Sequence, residues 1–335
     1  MTSQTIFGIL PDGRTVHSVT VSNDILKAEL ITWGAVLRDL RFTGVDPPLV
    51  LGLNSLDDYR QHSPNFGSTV GRVANRIFGG SFELDGQTYA LDCNEPDGPN
   101  CLHGGKNGTS TALWHIEELR DDAVTMTMTD TAGNAGFPGD VKIRAEFSLQ
   151  GASLCVRYES TTNAATPANI AHHAYFNLGG GVDIRDHHVQ ISADTCLEIG
   201  NQSGASLRRI SVEGTDYDFR QSAEVGPRIQ RTGGFDNNYC LSNERQTMRP
   251  VASLTAPNGL TMDMASTEPG LQLYTADKLN CSVPGLQERH YGANAGICFE
   301  TQNWPDAVNQ PDFPDAILRP DQKLVQETHF TFRKD

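Results

Sequence analysis

Alternation with a period of two constrains this chain more than any other feature. Val141, Ile143, Ala145, Phe147 and Leu149 alternate with Lys142, Arg144, Glu146 and Ser148. After a turn at Gln150-Gly151-Ala152-Ser153, Leu154, Val156 and Tyr158 answer on a return strand. Successive side chains of a strand point to opposite faces, so this pattern predicts antiparallel strands with one packed face. It recurs along the chain. Val16 to Val21 and Ile25 to Ile31 read as an opening pair of strands, and Leu49 to Leu53 as a short buried run. Phe82 to Tyr89 reads as a hairpin turning on Asp85-Gly86, which tolerates the positive φ of a type I′ turn and sets Phe82 opposite Tyr89. Leu254 to Met264 forms another hairpin around Pro257-Asn258-Gly259, and Phe330 to Phe332 supplies a closing strand. The helical signal is thin, confined to a turn or two over Leu56 to Gln61. The 32 glycines and 17 prolines are spread evenly, with no repeat and no low-complexity linker. The expected architecture is all-β: one large antiparallel β-sandwich domain spanning 1–335, with few short helices.

Composition narrows function mainly by exclusion. The net charge of −15 argues against nucleic acid, whose binding needs a surplus of Lys and Arg, and against an anionic membrane surface. The seven cysteines stand singly with no C-x-x-C, which reads as reduced core residues in a cytoplasmic protein. No signal peptide or membrane span is expected from Met1 to Gly13 or beyond. A nucleophile elbow, a P-loop and a dinucleotide fingerprint are all missing, so chemistry would fall to Glu and His without a cofactor.

Five stretches could carry that chemistry. In Gly296 to Asn309, Glu300 interrupts a strand just before Asn303-Trp304-Pro305 ends it. A carboxylate beside Phe299 and Trp304 would be partly desolvated, raising its pKa. Read alone, a solvated glutamate at a strand end is the stronger account. Gly71 to Ile77 carries Arg72, Asn75 and Arg76, which could form a fork of donors or a charged surface turn. His103 precedes Gly104-Gly105 on what reads as an exposed turn. In Ala171 to Gly180, one of His172 and His173 should face a site and the other face away. No metal-ligand spacing accompanies them. Asp236 follows Gly233-Gly234-Phe235 and could accept hydrogen bonds from hydroxyls or form an Asx turn.

Together these stretches resemble the aldose 1-epimerase (galactose mutarotase) family. The resemblance is carried by Gly71-Arg72-Val73-Ala74-Asn75-Arg76-Ile77, Leu102-His103-Gly104-Gly105, His173-Ala174-Tyr175-Phe176-Asn177-Leu178, Phe235-Asp236-Asn237-Asn238, Pro269 to Thr275 and Glu300 to Asn309. It runs from about residue 30 onward in the family's order. It implies a β-sandwich cleft with Glu300 as general base, His173 as general acid, Arg76, His103 and Asp236 on sugar hydroxyls, and Asn75 and Gln272 as secondary contacts. It also implies a free monosaccharide substrate such as glucose or galactose, no cofactor or metal, and a monomer or homodimer. His172, Ala174 and Asn237 depart from the family's pattern, a departure that would bear on sugar preference. A non-catalytic sugar-binding sandwich, a glycoside hydrolase using Glu300 and Asp236, and an epimerase of pentoses, uronic acids or sugar phosphates stand as alternatives.

Overall fold

The computed structural model describes residues 3–95, 98–199 and 207–334. Three antiparallel sheets dominate it. The first has four strands in sequence order: Ser3–Ile9, Thr15–Ser22, Leu26–Ile31 and Val36–Phe42. The largest has nine. Its order is His115–Leu119, Ala123–Asp130, Val141–Gln150, Ser153–Thr162, Leu324–Lys334, Leu260–Ser266, Arg249–Thr255, His188–Ile191 and Ala223–Glu224. The third has six: Tyr175–Phe176, Ile297–Gln302, Gly270–Tyr274, Asp236–Cys240, Thr195–Ile199 and Leu207–Ser211. Leu324–Lys334 does more than close the fold. It pairs on both sides, with Ser153–Thr162 and with Leu260–Ser266.

One apolar cluster joins all three sheets. Val19, Leu30 and Leu37 come from the first, Phe147, Val156, Met264 and Phe330 from the second, and Phe176, Leu271, Leu273 and Phe299 from the third. Burying each such large side chain is worth about 1.5–3 kcal/mol, so the alternating pattern fixes which face of every strand turns inward. The Asp85-Gly86 turn has φ of 51° and 80°, and the Phe82 and Tyr89 rings stack at 5.2 Å. Leu49 to Leu53 is fully buried but forms no continuous ladder, meeting its neighbours at isolated bridges at Val50 and Leu53 and through single hydrogen bonds such as the Leu49 N–H to the Leu40 carbonyl.

The described residues contain two α-helices of seven residues each. Leu56–His62 lies where the sequence indicates, capped by Ser55, whose side chain accepts from the Asp58 N–H. Gly226–Thr232 carries no readable period. Only Ile229 is buried within it, and its ends are marked by Pro227 and by Gly233 at φ 87°. All seven cysteines are unpaired, and six are buried. No described helix is long and apolar enough to cross a membrane.

Candidate active site

The catalytic candidates converge where the six-stranded sheet meets the loops around Asn75 and His103. In the register of that sheet, Asn238 pairs with Gln272 and Gln272 with Glu300, while Asp236 pairs with Tyr274 and Tyr274 with Cys298. Directly opposite residues share a face, so Asp236, Gln272, Tyr274, Cys298 and Glu300 all project to one side. Phe299 projects to the other and lies in the core. Glu300 is therefore desolvated as its neighbours suggest, but not by Phe299. It is 2% exposed, which overturns a solvated strand end.

His173 ends the short strand Ala171–His173, which pairs with Ser68–Val70. Its Nε2 lies 3.6 Å from Glu300 Oε1. The Tyr175 ring stacks on it at 5.1 Å, and His103 meets it edge-on at 5.3 Å. His172 points the opposite way, against Phe147 and Phe330 at 5.7 and 6.1 Å. Ala174 is buried in the core, and Asn237 donates toward the Leu197 carbonyl. None of the three departures from the family's pattern lines the cavity.

Arg72 and Arg76 do different work. Arg72 turns fully inward and binds Asp130 at 2.7 Å, with its remaining donors on the carbonyls of Asp130, Thr131, Pro138 and Gly139. It is neither a surface residue nor part of the ligand fork. Arg76 faces the cavity, gripped by Glu95 at 2.8 Å and approached by Asp236 at 3.7 Å. Gln272 donates to Asp236 at 2.6 Å from beneath. It steadies Asp236 rather than forming part of the wall.

Asn75 and His103 are both left-handed, with φ of 60° and 51°, a conformation that non-glycine residues adopt mainly where their surroundings impose it. Each holds the other. The His103 N–H donates to the Asn75 carbonyl at 2.9 Å, and the Asn75 N–H donates to His103 Nδ1 at 3.1 Å. The glycine after His103 is required by the backbone. A Cβ at Gly104 would lie 2.1 Å from the Gly71 carbonyl oxygen. So the glycines bring two loops together, and His103 sits half-buried rather than on an open turn.

Asn75, Arg76, Glu95, His103, His173, Tyr175, Asp236, Tyr274 and Glu300 line one cavity of about 480 Å³, within the size range of small-molecule sites. Sequence reasoning missed Glu95, Tyr274 and Lys278. Tyr175 and Tyr274 lay inside recognised stretches, but Glu95 and Lys278 stand in loops without a readable signal. A larger groove of about 1030 Å³ lies on the outer face of the nine-stranded sheet beside Trp33. Its charges are mostly engaged with one another, Arg14 with Asp12, Arg144 with Glu117 and Lys323 with Glu159, and it contains no buried acid–base pair.

Burial sets the electrostatics. Desolvation, reinforced by Asp236 and opposed by Arg76, pushes the Glu300 carboxyl up to about 8. Desolvation pulls His173 down to about 4, and pulls His103 well below the usual imidazole range with help from His173 and Arg76. At neutral pH the empty pair thus holds one proton, resting on the carboxyl.

His103, His173 and Glu300 place their donor atoms within 4.8 Å of one another, a His₂Glu set that could suit a metal. The backbone decides otherwise for His103. Its Nδ1 accepts the Asn75 N–H, so a neutral ring carries its proton on Nε2 and offers the cavity a donor rather than a lone pair. That geometry suits a hydroxyl oxygen better than a cation.

An antiparallel sandwich with a carboxyl and an imidazole in one polar cleft defines the class of protein. Residues 17–331 match the sequence profile of the family described as aldose 1-epimerase. The chain is 37% identical to human galactose mutarotase over 338 residues, 98% of each protein. Among solved structures, an aldose epimerase homologue from C. elegans superposes with a TM-score of 0.89 at 28% identity, covering 95% of this chain and 98% of that one. The galactose 1-epimerase of Lactobacillus acidophilus gives 0.86 at 25% identity, covering 100% and 99%. The chain belongs to the aldose 1-epimerase family.

Proposed function

We propose that this protein interconverts the α and β anomers of a free, uncharged aldose, with Glu300 and His173 moving the protons. The observation that carries the reading is the buried contact at 3.6 Å between these two groups, inside a cavity lined by polar side chains that can hydrogen-bond to hydroxyls. Mutarotation removes a proton from the C1 hydroxyl and adds one to the ring oxygen as the C1–ring oxygen bond breaks. The open aldehyde rotates about C1–C2, and closure reverses both transfers. No electrons are exchanged, and a pair holding one proton between its members suffices.

Glu300 takes the hydroxyl proton in its ionised form while protonated His173 supplies the ring oxygen. This arrangement differs from the resting pair only in the position of one proton. Burial opposes moving it from carboxyl to imidazole, since it raises the one pKa and lowers the other. Attraction between the resulting charges at this spacing offsets that cost. Each positioned acid or base typically contributes about 10²- to 10⁴-fold. The charged residues of the cavity are Glu95, Asp236, Asp277 and Glu300 against Arg76 and Lys278, with no cationic surplus to hold a phosphate or uronate. Hydrolysis by Glu300 and Asp236 is disfavoured because Asp236 is tied to Arg76 and Gln272.

The pH profile provides the test. Below about pH 4 the imidazole takes a second proton, so the pair has no base. Above about pH 8 the carboxyl loses the pair's only proton, so it has no acid. Polarimetry of fresh α-galactose and α-glucose, corrected for the spontaneous rate, should give a kcat/KM that declines on both sides of that interval. A rate still rising at pH 9, or one unaffected by the protein at any pH, would overturn the reading.

A further inference from the structure

We propose that Cys298 is a positioning residue for His173, holding the Nδ1 side of the imidazole so that Nε2 faces Glu300 and the reacting oxygens. The proposal rests on the acid–base reading above. Cys298 and Glu300 stand two residues apart on Ile297–Gln302 and therefore share a face. The thiol sulfur lies 3.6 Å from His173 Nδ1, and the carboxyl oxygen lies 3.6 Å from Nε2. A single strand thus contacts both ring nitrogens. Tyr175, the cross-strand partner of Cys298, stacks on the same ring and fixes its plane.

The chemistry of the thiol suits the task. Cys298 is fully buried, and desolvation, with Glu300 and Asp236 nearby, keeps it protonated. A neutral thiol can donate its S–H to a bare Nδ1 or accept from an Nδ1–H. It therefore stays a partner while the proton at Nε2 comes and goes. A carboxylate in its place would raise the imidazole pKa strongly. An apolar side chain would take the sulfur away from Nδ1 and disfavour the imidazolium. The other ionisable groups around the ring are His103, Arg76 and Asp236 across the cavity, with the Tyr175 and Tyr274 hydroxyls.

The experiment compares Cys298→Ala and Cys298→Ser in the full chain, with thermal melts to confirm folding. Cys298→Ala should lower kcat about tenfold, a part of what one acid–base group contributes, with KM within about twofold of wild type. Its acid limb should move to lower pH, because the imidazolium has lost its acceptor. Cys298→Ser, which can still donate and accept, should recover most of the turnover. A readout independent of activity is the ¹⁵N resonance of His173 Nδ1, which should shift in the serine variant even if the alanine variant folds poorly. Wild-type kcat and acid limb in Cys298→Ala, or an unmoved Nδ1 resonance in Cys298→Ser, would overturn the proposal. If His173→Asn is also fully active, the acid–base reading itself fails. If His173→Asn is inactive while Cys298→Ala is unaffected, only the role of Cys298 falls.

Discussion

Glu300→Gln is expected to lose about a thousandfold in turnover and yet to gain thermal stability at neutral pH. The loss follows from removing the only carboxyl in contact with His173 among the described residues. The gain follows from linkage. A carboxyl whose pKa rises from 4.5 in the unfolded chain to about 8 in the folded one binds its proton more tightly when folded. The resulting destabilisation is absent below the unfolded pKa, grows as pH rises, and levels off above about 8. At pH 7 it amounts to on the order of 3 kcal/mol, which an uncharged amide of the same shape escapes. Melting curves at pH 4 and pH 7 should separate the two proteins only at the higher pH, by a few degrees. Equal turnover would remove Glu300 from the mechanism, and a variant less stable at pH 7 than at pH 4 relative to wild type would contradict its buried, proton-holding state.

The second large effect lies away from the cavity. Asp130→Ala should cost about 3–5 kcal/mol in chemical denaturation, because it leaves the Arg72 guanidinium buried without its counter-charge. Polar contacts to four backbone carbonyls and Thr166 remain, but none carries a full charge. Replacing both partners together, Arg72→Met with Asp130→Leu, should restore much of that loss. The folded fraction of either variant should keep its turnover, since the pair touches neither Glu300 nor His173. A cost below about 1 kcal/mol would mean that water reaches Arg72 in a way its burial does not suggest.

These two residues also show where reading the chain succeeds and where it stops. Alternation from Val141 to Tyr158 gave the strands, and Asp85-Gly86 gave a hairpin down to its facing pair, because both signals are local. The strand position of Glu300 was legible for the same reason. What desolvates it was not: Phe299 is its neighbour in sequence but lies across the sheet, while the groups that enclose Glu300 arrive from distant segments. Arg72 and Arg76 look alike on paper, being four apart in one motif. Only the fold decides that one neutralises a buried carboxylate and the other faces the cavity. Likewise the glycines after His103 suggested an exposed turn, whereas Gly104 makes room for the Gly71 carbonyl. Glu95 offered no signal because its role depends wholly on where Arg76 points.

The central place of Leu324–Lys334 has a consequence for biosynthesis. Two strands that flank it, Ser153–Thr162 and Leu260–Ser266, leave the ribosome long before it does. Until it emerges, each presents an open hydrogen-bonding edge to the crowded cell, and the sheet stays in two halves. Completion of the sandwich is therefore a late event governed by contacts far apart in sequence, and such topologies assemble slowly. The nascent protein should depend on holding chaperones most during that interval.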